Sequence, residues 1–201
     1  MSHTSRGLVQ DGSSTQDGVL LCSLAELKLR FLCPSDLPEI TTNPRFYALA
    51  ATFHSQIIGL LVAETKPLSK MNKEDQDILP PSLTGQTQIG YILTLGVSDA
   101  HRGHGIASLL LDNYLAQLSA HESPRVQAVL LHVLTTNHRA IAFYQRRNFV
   151  RHTFLPYYYN IKGKPKDGFS YVRYVKVVKL RTADPTYITD GYVVTLMQEY
   201  L

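Results

Sequence analysis

Two cysteines in 201 residues, Cys22 and Cys33, are too few for a framework of bridges, and they form no C-x-x-C pair. A reducing compartment is the expected home, and both thiols read as ordinary rather than catalytic. No apolar run reaches the ~18 residues that a membrane-spanning helix needs. The opening "MSHTSRGLVQDGSSTQDG" lacks the apolar stretch of a secretory signal, and Ser2 in place of glycine excludes myristoylation. Charge is scarce too, at 18% of residues against 44% hydrophobic, so the chain is rich enough in apolar residues for a packed core. The net charge of +4 is mildly basic, which weakly favours anionic ligands or surfaces. No RNA-reading signature and no zinc-finger spacing is present, so a nucleic-acid partner and a metal are not expected.

What is present reads as one α/β domain. Residues 1–23 form a polar tail that reads as disordered, 24–178 the domain, and 179–201 a C-terminal extension. "LKLRFL" (27–32), "RFYALAATF" (45–53) and "IIGLLVAET" (57–65) read as strands, the last two joined as a hairpin through "HSQ". Residues 66–87 read as a polar loop with three prolines. "QIGYILTLGV" (88–97) reads as a central strand, followed by a helix from about Ile106 to Leu118. The continuous apolar "VQAVLLHVL" (126–134) reads as a buried strand. A helix over 137–148, a short strand at Phe149 and a last strand over 168–178 complete the pattern. Strands alternating with helices in the second half require a sheet with at least one crossover.

Between the strand ending at Val97 and the helix starting near Ile106 lies "HRGHGIASLLL" (101–111). Gly103 and Gly105 lack Cβ atoms, so their amides can approach a ligand closely. The first amides of a helix have no intrahelical partner and sit at the positive end of its dipole. With Arg102 and His104 beside them, they suit a pyrophosphate. Neither a Walker A ending nor G-x-G-x-x-G is present. Taken alone, the stretch fits equally a turn whose glycines only let the chain bend.

Its surroundings break the tie. Arg102-Gly103-His104-Gly105-Ile106-Ala107 matches R/Q-x-x-G-x-G/A, and "RAIAFYQRRNF" (139–149) resembles A-x-x-F-Y-x-x-x-G-F, with Asn148 where glycine is usual. Asparagine tolerates the left-handed helix end that glycine normally supplies. In this order, around a buried strand, the two motifs resemble the GNAT superfamily of N-acetyltransferases. "YILTLGV", "LHVLTTN", "LPYYYNIKGKPKDGFSYV" and "KEDQDIL" look further like the Golgi-associated, NatF-type branch of N-alpha-acetyltransferases, over roughly residues 24–176.

The resemblance implies a mixed, mostly antiparallel sheet opened between two central strands and flanked by helices. Its co-substrate would be acetyl-CoA, with no metal. The pyrophosphate would lie on Arg102, Gly103, His104, Gly105, Ile106, Ala107 and Ser108, and the pantetheine on backbone groups of Leu95, Gly96 and Val97. Asn137 would bond the pantetheine or cap its helix, and Tyr144, Gln145, Arg146 and Arg147 complete the co-substrate site. Tyr91 and His132, on neighbouring central strands, are implied as the base pair. Tyr144 would donate a proton to the leaving thiolate or pack against the cofactor. Leu93 and Tyr159 would line the peptide groove.

The implied substrates are N-termini of membrane proteins that begin Met-Leu, Met-Ile, Met-Phe, Met-Tyr or Met-Lys, with histone lysines a lesser expectation. The implied location is the cytosolic face of the Golgi, by peripheral membrane association, with a homodimer as a further expectation. An α-amine has a pKa of about 7.7–8.0 against about 10.4 for lysine, so a weak or water-relayed base suffices for N-termini.

Against the family pattern, only "CPSDLPEITTNP" (33–44) joins the first two strands, where two helices are usual. Two helices need ~20 residues, and the prolines interrupt most of what is left. The loop that grips the peptide in NatF-type enzymes has no counterpart here. A non-catalytic acetyl-CoA-binding or dimerising protein is therefore a rival reading, and a small-amine acetyltransferase another. The extension 181–201 carries only a weak apolar face, where family members continue into membrane-holding amphipathic helices. His101, His138, His152 and the acidic "KEDQD" loop read as solvated surface.

Overall fold

The computed structural model describes residues 26–79, 87–120 and 126–175. The tail at 1–23 and the extension at 179–201 lie outside the described residues. In chain order the elements are β1 (Lys28–Phe31), α1 (Pro38–Thr41), β2 (Phe46–Phe53), β3 (Gln56–Pro67), β4 (Gln88–Val97), α2 (Ile106–Ala120), β5 (Val126–Leu134), α3 (His138–Gln145), β6 (Val150–Ile161) and β7 (Lys164–Tyr174). One seven-stranded sheet runs β1-β2-β3-β4-β5-β7-β6. Only β4 and β5 pair in parallel, and α2 is the crossover that a parallel pair requires.

The central strands β4, β5 and β7 alternate between two apolar faces. On one, Leu110, Leu111, Tyr114 and Leu118 of α2 and Tyr144 of α3 pack on Leu49, Leu61, Ile92, Val129 and Leu131. On the other, Leu68, Met71, Ile78 and Leu79 of the β3–β4 connection cover Ile89, Ala128, Leu130 and Val172. The connection over 66–87 is therefore not simply a polar loop. It opens with the end of β3, and its apolar residues fasten two short 3-10 turns, Leu68–Lys70 and Lys73–Asp75, to the sheet.

The β2–β3 hairpin turns through His54 and Ser55, both in the left-handed region, which matches the twist of its strands. Asn148 ends the α3 segment at φ 60°, as its place in the glycine position led us to expect. At the last hairpin the sequence reading needs correction. β6 is a twelve-residue strand, not a short one at Phe149, and β7 starts at Lys164 rather than Gly168. Half-exposed edge strands carry polar residues on one face, and two register shifts in β6 break the alternation that marks a strand.

Gly90 tests the packing of α2 on the sheet. A Cβ there would collide with the Tyr114 hydroxyl, which is buried without a hydrogen-bond partner among the described residues. Overpacking of this kind costs about 1–3 kcal/mol, so Gly90→Ala should lower the urea midpoint clearly. Tyr114→Phe removes both the collision and the unpaired hydroxyl, and should restore or raise stability in the Gly90→Ala background. If Gly90→Ala proved neutral, the close approach of α2 to β4 would be wrong.

Candidate active site

The site forms where β4 and β5 part. Their pairing stops at Ile92–Leu131. On the other side of β4, the ladder with β3 pairs Val62 with Thr94 and Ala63 with Ile92, so Leu93 has no partner and bulges. Above this point the two strands diverge into a cleft lined by Leu93, Thr94, Leu95, His132, Asn137, Tyr144 and Tyr159. Leu93 stands at the lip, 46% exposed.

Tyr91 lies in the last paired rungs of β4, and His132 is the first residue of β5 beyond them. The Tyr91 hydroxyl is 2.9 Å from His132 Nδ1, and the Tyr158 hydroxyl is 2.7 Å from the same nitrogen. On the far side of the ring, His132 Nε2 is 3.0 Å from Asp75 Oδ2. The His132 side chain is 4% exposed and that of Asp75 is fully buried. An ionised carboxylate can only accept, so Nε2 carries the proton and Nδ1 presents its lone pair. Two hydroxyls thus converge on one acceptor. Burial, then the neighbouring Tyr158, push the Tyr91 phenol far above its ordinary range. Burial likewise pushes Tyr144 and Tyr159 up to about 12, so all three stay protonated at neutral pH.

Asp75 and Tyr158 are the residues that sequence reasoning missed. The sequence reads "KEDQD" as solvated surface, whereas its Asp75 is the buried partner of His132. The signal was the run of apolar residues on either side, Leu68 and Met71 before it and Ile78 and Leu79 after it, which hold the turn against the sheet. His152 also departs from a solvated reading, since its Nε2 lies 2.8 Å from Asp77 Oδ1. His101 Nδ1 is 2.8 Å from the Ser98 hydroxyl, a local surface contact, and His138 is exposed.

At the open end of β4, Gly103 and Gly105 adopt φ +85° and +80°, and no protein atom lies within 4 Å of where a Cβ would stand on either. The turn therefore lies open in front of the first amides of α2, at Ile106, Ala107 and Ser108. Arg102 folds back, with Nε donating to the Val97 carbonyl at 3.1 Å and the guanidinium paired with Asp99. His104 Nδ1 lies 3.3 Å from the His101 carbonyl. The two sequence signatures meet here, because the Arg147 guanidinium reaches the Ser108 hydroxyl and lies over the Phe143 ring at 4.0 Å. Gln145 and Arg146 are exposed at the end of α3, with the Gln145 amide 3.4 Å from the Tyr171 hydroxyl. Asn137 caps α3, accepting from the Ala140 amide at 3.2 Å.

Comparison with known proteins agrees with this geometry. The acetyltransferase (GNAT) family model matches residues 25–149. N-alpha-acetyltransferase 60 of Drosophila melanogaster is 44% identical over 198 residues, covering 78% of this chain and 72% of the relative. The Danio rerio protein of the same name is 44% identical over 179 residues, covering 79% and 74%. Both alignments are longer than the stretch of this chain they cover, so the relatives carry residues within it that this chain lacks. The crystal structure of Arabidopsis thaliana NAA60 in complex with acetyl-CoA superposes with a TM-score of 0.64 at 26% identity, over 74% of this chain and 98% of that one. With the family model spanning most of the sheet and relatives at this identity, the chain belongs to the GNAT acetyltransferase family and is a homologue of N-alpha-acetyltransferase 60.

Proposed function

We propose that this chain transfers the acetyl group of acetyl-CoA to the α-amine of protein N-termini, using the cleft between β4 and β5. The observation that carries the reading is the hydrogen-bonded series Asp75–His132–Tyr91, whose His132 lines that cleft, with an open, glycine-lined turn at the far end of β4. Acetyl-CoA supplies an activated acetyl thioester. The fit is physical: left-handed glycines and free helix amides suit a pyrophosphate, and above Ile92 the cleft-side backbone groups of Leu95, Gly96 and Val97 are unpaired by β5 and suit pantetheine amides. Arg102, His104 and the α3 residues Asn137, Gln145, Arg146 and Arg147 border the same arm.

In the proposed chemistry, Tyr91 Oη takes a proton from the incoming amine as its own proton passes to His132 Nδ1. The resulting imidazolium is balanced by the Asp75 carboxylate. Tyr144, buried in the cleft wall and held protonated, offers its phenolic proton to the departing sulfur. Leu93 and Tyr159 contact the first peptide residues. Met-Leu, Met-Ile, Met-Phe, Met-Tyr and Met-Lys termini of membrane proteins are the proposed substrates, and histone lysines lesser ones. Peripheral attachment at the cytosolic face of the Golgi and a homodimer rest on resemblance alone. No helix among the described residues is long and apolar enough to cross a membrane.

One observation favours a second reading. The β1–β2 connection holds only the one-turn α1. The register Phe46–Glu64–Tyr91 puts that connection at the Gln88 end of the sheet, whereas the cleft opens at the Val97 end. The one-turn connection therefore does not reach the cleft, and it supplies no wall to the peptide groove. Losing one or two buried contacts of about 1.5–3 kcal/mol each weakens peptide binding by about tenfold to ten-thousandfold. Near-normal acetyl-CoA affinity should accompany a much raised peptide KM and poor discrimination at the second residue. Spermidine, a small amine, should then compete well in turnover with a Met-Leu peptide, and a family-length loop grafted between Ile40 and Thr41 should restore selectivity. Efficient, selective turnover of Met-Leu and Met-Lys peptides by the parent would show that the missing wall is dispensable. Acetyl-CoA binding without turnover of any amine would leave a binding protein.

A further inference from the structure

Beneath Tyr91, on the side away from His132, β3 carries two opposite charges. Glu64 stands directly across the β3–β4 ladder from Tyr91, and Lys66 is two residues further along the same face. Lys66 Nζ is 3.8 Å from Glu64 Oε2 and 4.6 Å from the centroid of the Tyr91 ring. Their side chains are only 19% and 17% exposed. Neither residue lines the cleft, and neither belongs to a motif that identifies the family. Burying an ion pair contributes little net stability and often costs some, because both charges lose water. What sets this pair apart is the Tyr91 ring, which lies within reach of its cation.

We propose that Lys66 and Glu64 are positioning residues that set the charge beneath the Tyr91–His132 proton relay, the cation favouring proton loss from the relay and the carboxylate tempering it. The inference rests on the relay reading given above. As the amine proton moves to Tyr91 Oη and the Tyr91 proton moves to His132 Nδ1, negative charge gathers transiently on the phenol and positive charge settles on the imidazole. An ammonium on the ring face stabilises the electron-rich ring and holds its hydroxyl toward His132. The same ammonium disfavours a proton resting on the relay before the amine arrives, and Glu64 acts in the opposite sense. Other titratable groups facing Tyr91 are His132 from β5, Tyr158 and Tyr159 from β6, and Asp75 from the 3-10 turn. None of these would be changed by the test.

Lys66→Met removes a positive charge, so the relay holds its proton more tightly and the acidic limb of kcat moves to higher pH. Glu64→Gln removes a negative charge, and the limb moves to lower pH. Each displacement should be on the order of half a pH unit to one unit. Lys66→Met should also lower the plateau kcat by about three- to tenfold, Lys66→Arg should recover most of it, and the acetyl-CoA dissociation constant should be unchanged in all three. The kcat–pH profiles of the parent, these variants, Tyr91→Phe and His132→Ala are measured on a saturating Met-Leu peptide. Opposite displacements support the proposal. Profiles that lose height without moving, or that move the same way for both charges, overturn it, because a purely structural pair has no sign. Should Lys66→Met fail to fold, Glu64→Gln and Lys66→Arg still carry the test through the direction of the first and the recovery of the second. Wild-type turnover in both Tyr91→Phe and His132→Ala would instead remove the relay itself, and this inference with it.

Discussion

Gly105→Val leaves the fold intact and weakens acetyl-CoA binding by a hundredfold or more. Gly105 sits at φ +80°, with open space where a side chain would begin. A β-branched residue is strained there by about 1–3 kcal/mol, which a domain of typical stability survives. Relieving that strain turns the amides of Gly105 and Ile106 away, and the new methyl groups enter the open turn. Hydrogen bonds to a charged group contribute about 1.5–3 kcal/mol each, so losing two costs between about two and four orders of magnitude in affinity. Calorimetry with acetyl-CoA measures the loss, and circular dichroism checks the fold. Unchanged affinity in a folded variant would sink the assignment of this turn.

Asp75→Asn should lower kcat by about a hundredfold to ten-thousandfold without altering acetyl-CoA affinity. The carboxylate does two things for His132: it accepts the Nε2 proton, and it offsets the charge the ring gains on taking a second one. An amide of the same size offers no charge. Where its NH₂ faces the ring, the proton shifts to Nδ1, and Tyr91 and Tyr158 lose the lone pair they share. In serine proteases a comparable carboxylate-to-amide change costs about ten-thousandfold, through the wrong tautomer. Because Asp75 is fully buried, Asp75→Ala serves as a harsher second variant, expected to lower stability as well as rate. Turnover of Asp75→Asn within about twofold of the parent would mean that His132 does not rely on this partner.

Much of this architecture is written in local patterns, and the exceptions share a cause. β2, β3, β4 and β5 are legible because their alternation or continuous apolar runs answer to one or two packed faces. The glycine turn is legible because left-handed backbone demands a particular residue type, and Asn148 because few other residues share glycine's tolerance. Asp75 is not legible as a functional residue, since nothing in "KEDQD" distinguishes a buried carboxylate from its exposed neighbours. Its burial is decided by Leu68, Met71, Ile78 and Leu79, residues several positions away. Tyr158 fails for a different reason. The register of β6 shifts between Leu155 and Tyr159, and Tyr157 takes a left-handed φ of 55°, so counting by twos through "PYYY" does not reveal which ring turns toward β5.

The bulge at Leu93 changes how damage to this protein should be sought. Before it, Ile89 and Tyr91 point to the face with the β3–β4 connection and Ile92 to the helices. After it, Leu95 and Val97 point to the helices, although they share the odd numbering of Tyr91. One supernumerary residue reverses the parity of the strand and lets its upper half leave β5. The opening is thus encoded in the number of residues rather than in their identity. Exchanging Leu93 for another side chain preserves the count, so a scan by substitution would report only the loss of its contact in the groove and not the bulge itself. Removing one codon would bring the two halves of β4 into a single phase, remove the irregularity that accompanies the parting of the strands, and leave almost every side chain of the site in the gene.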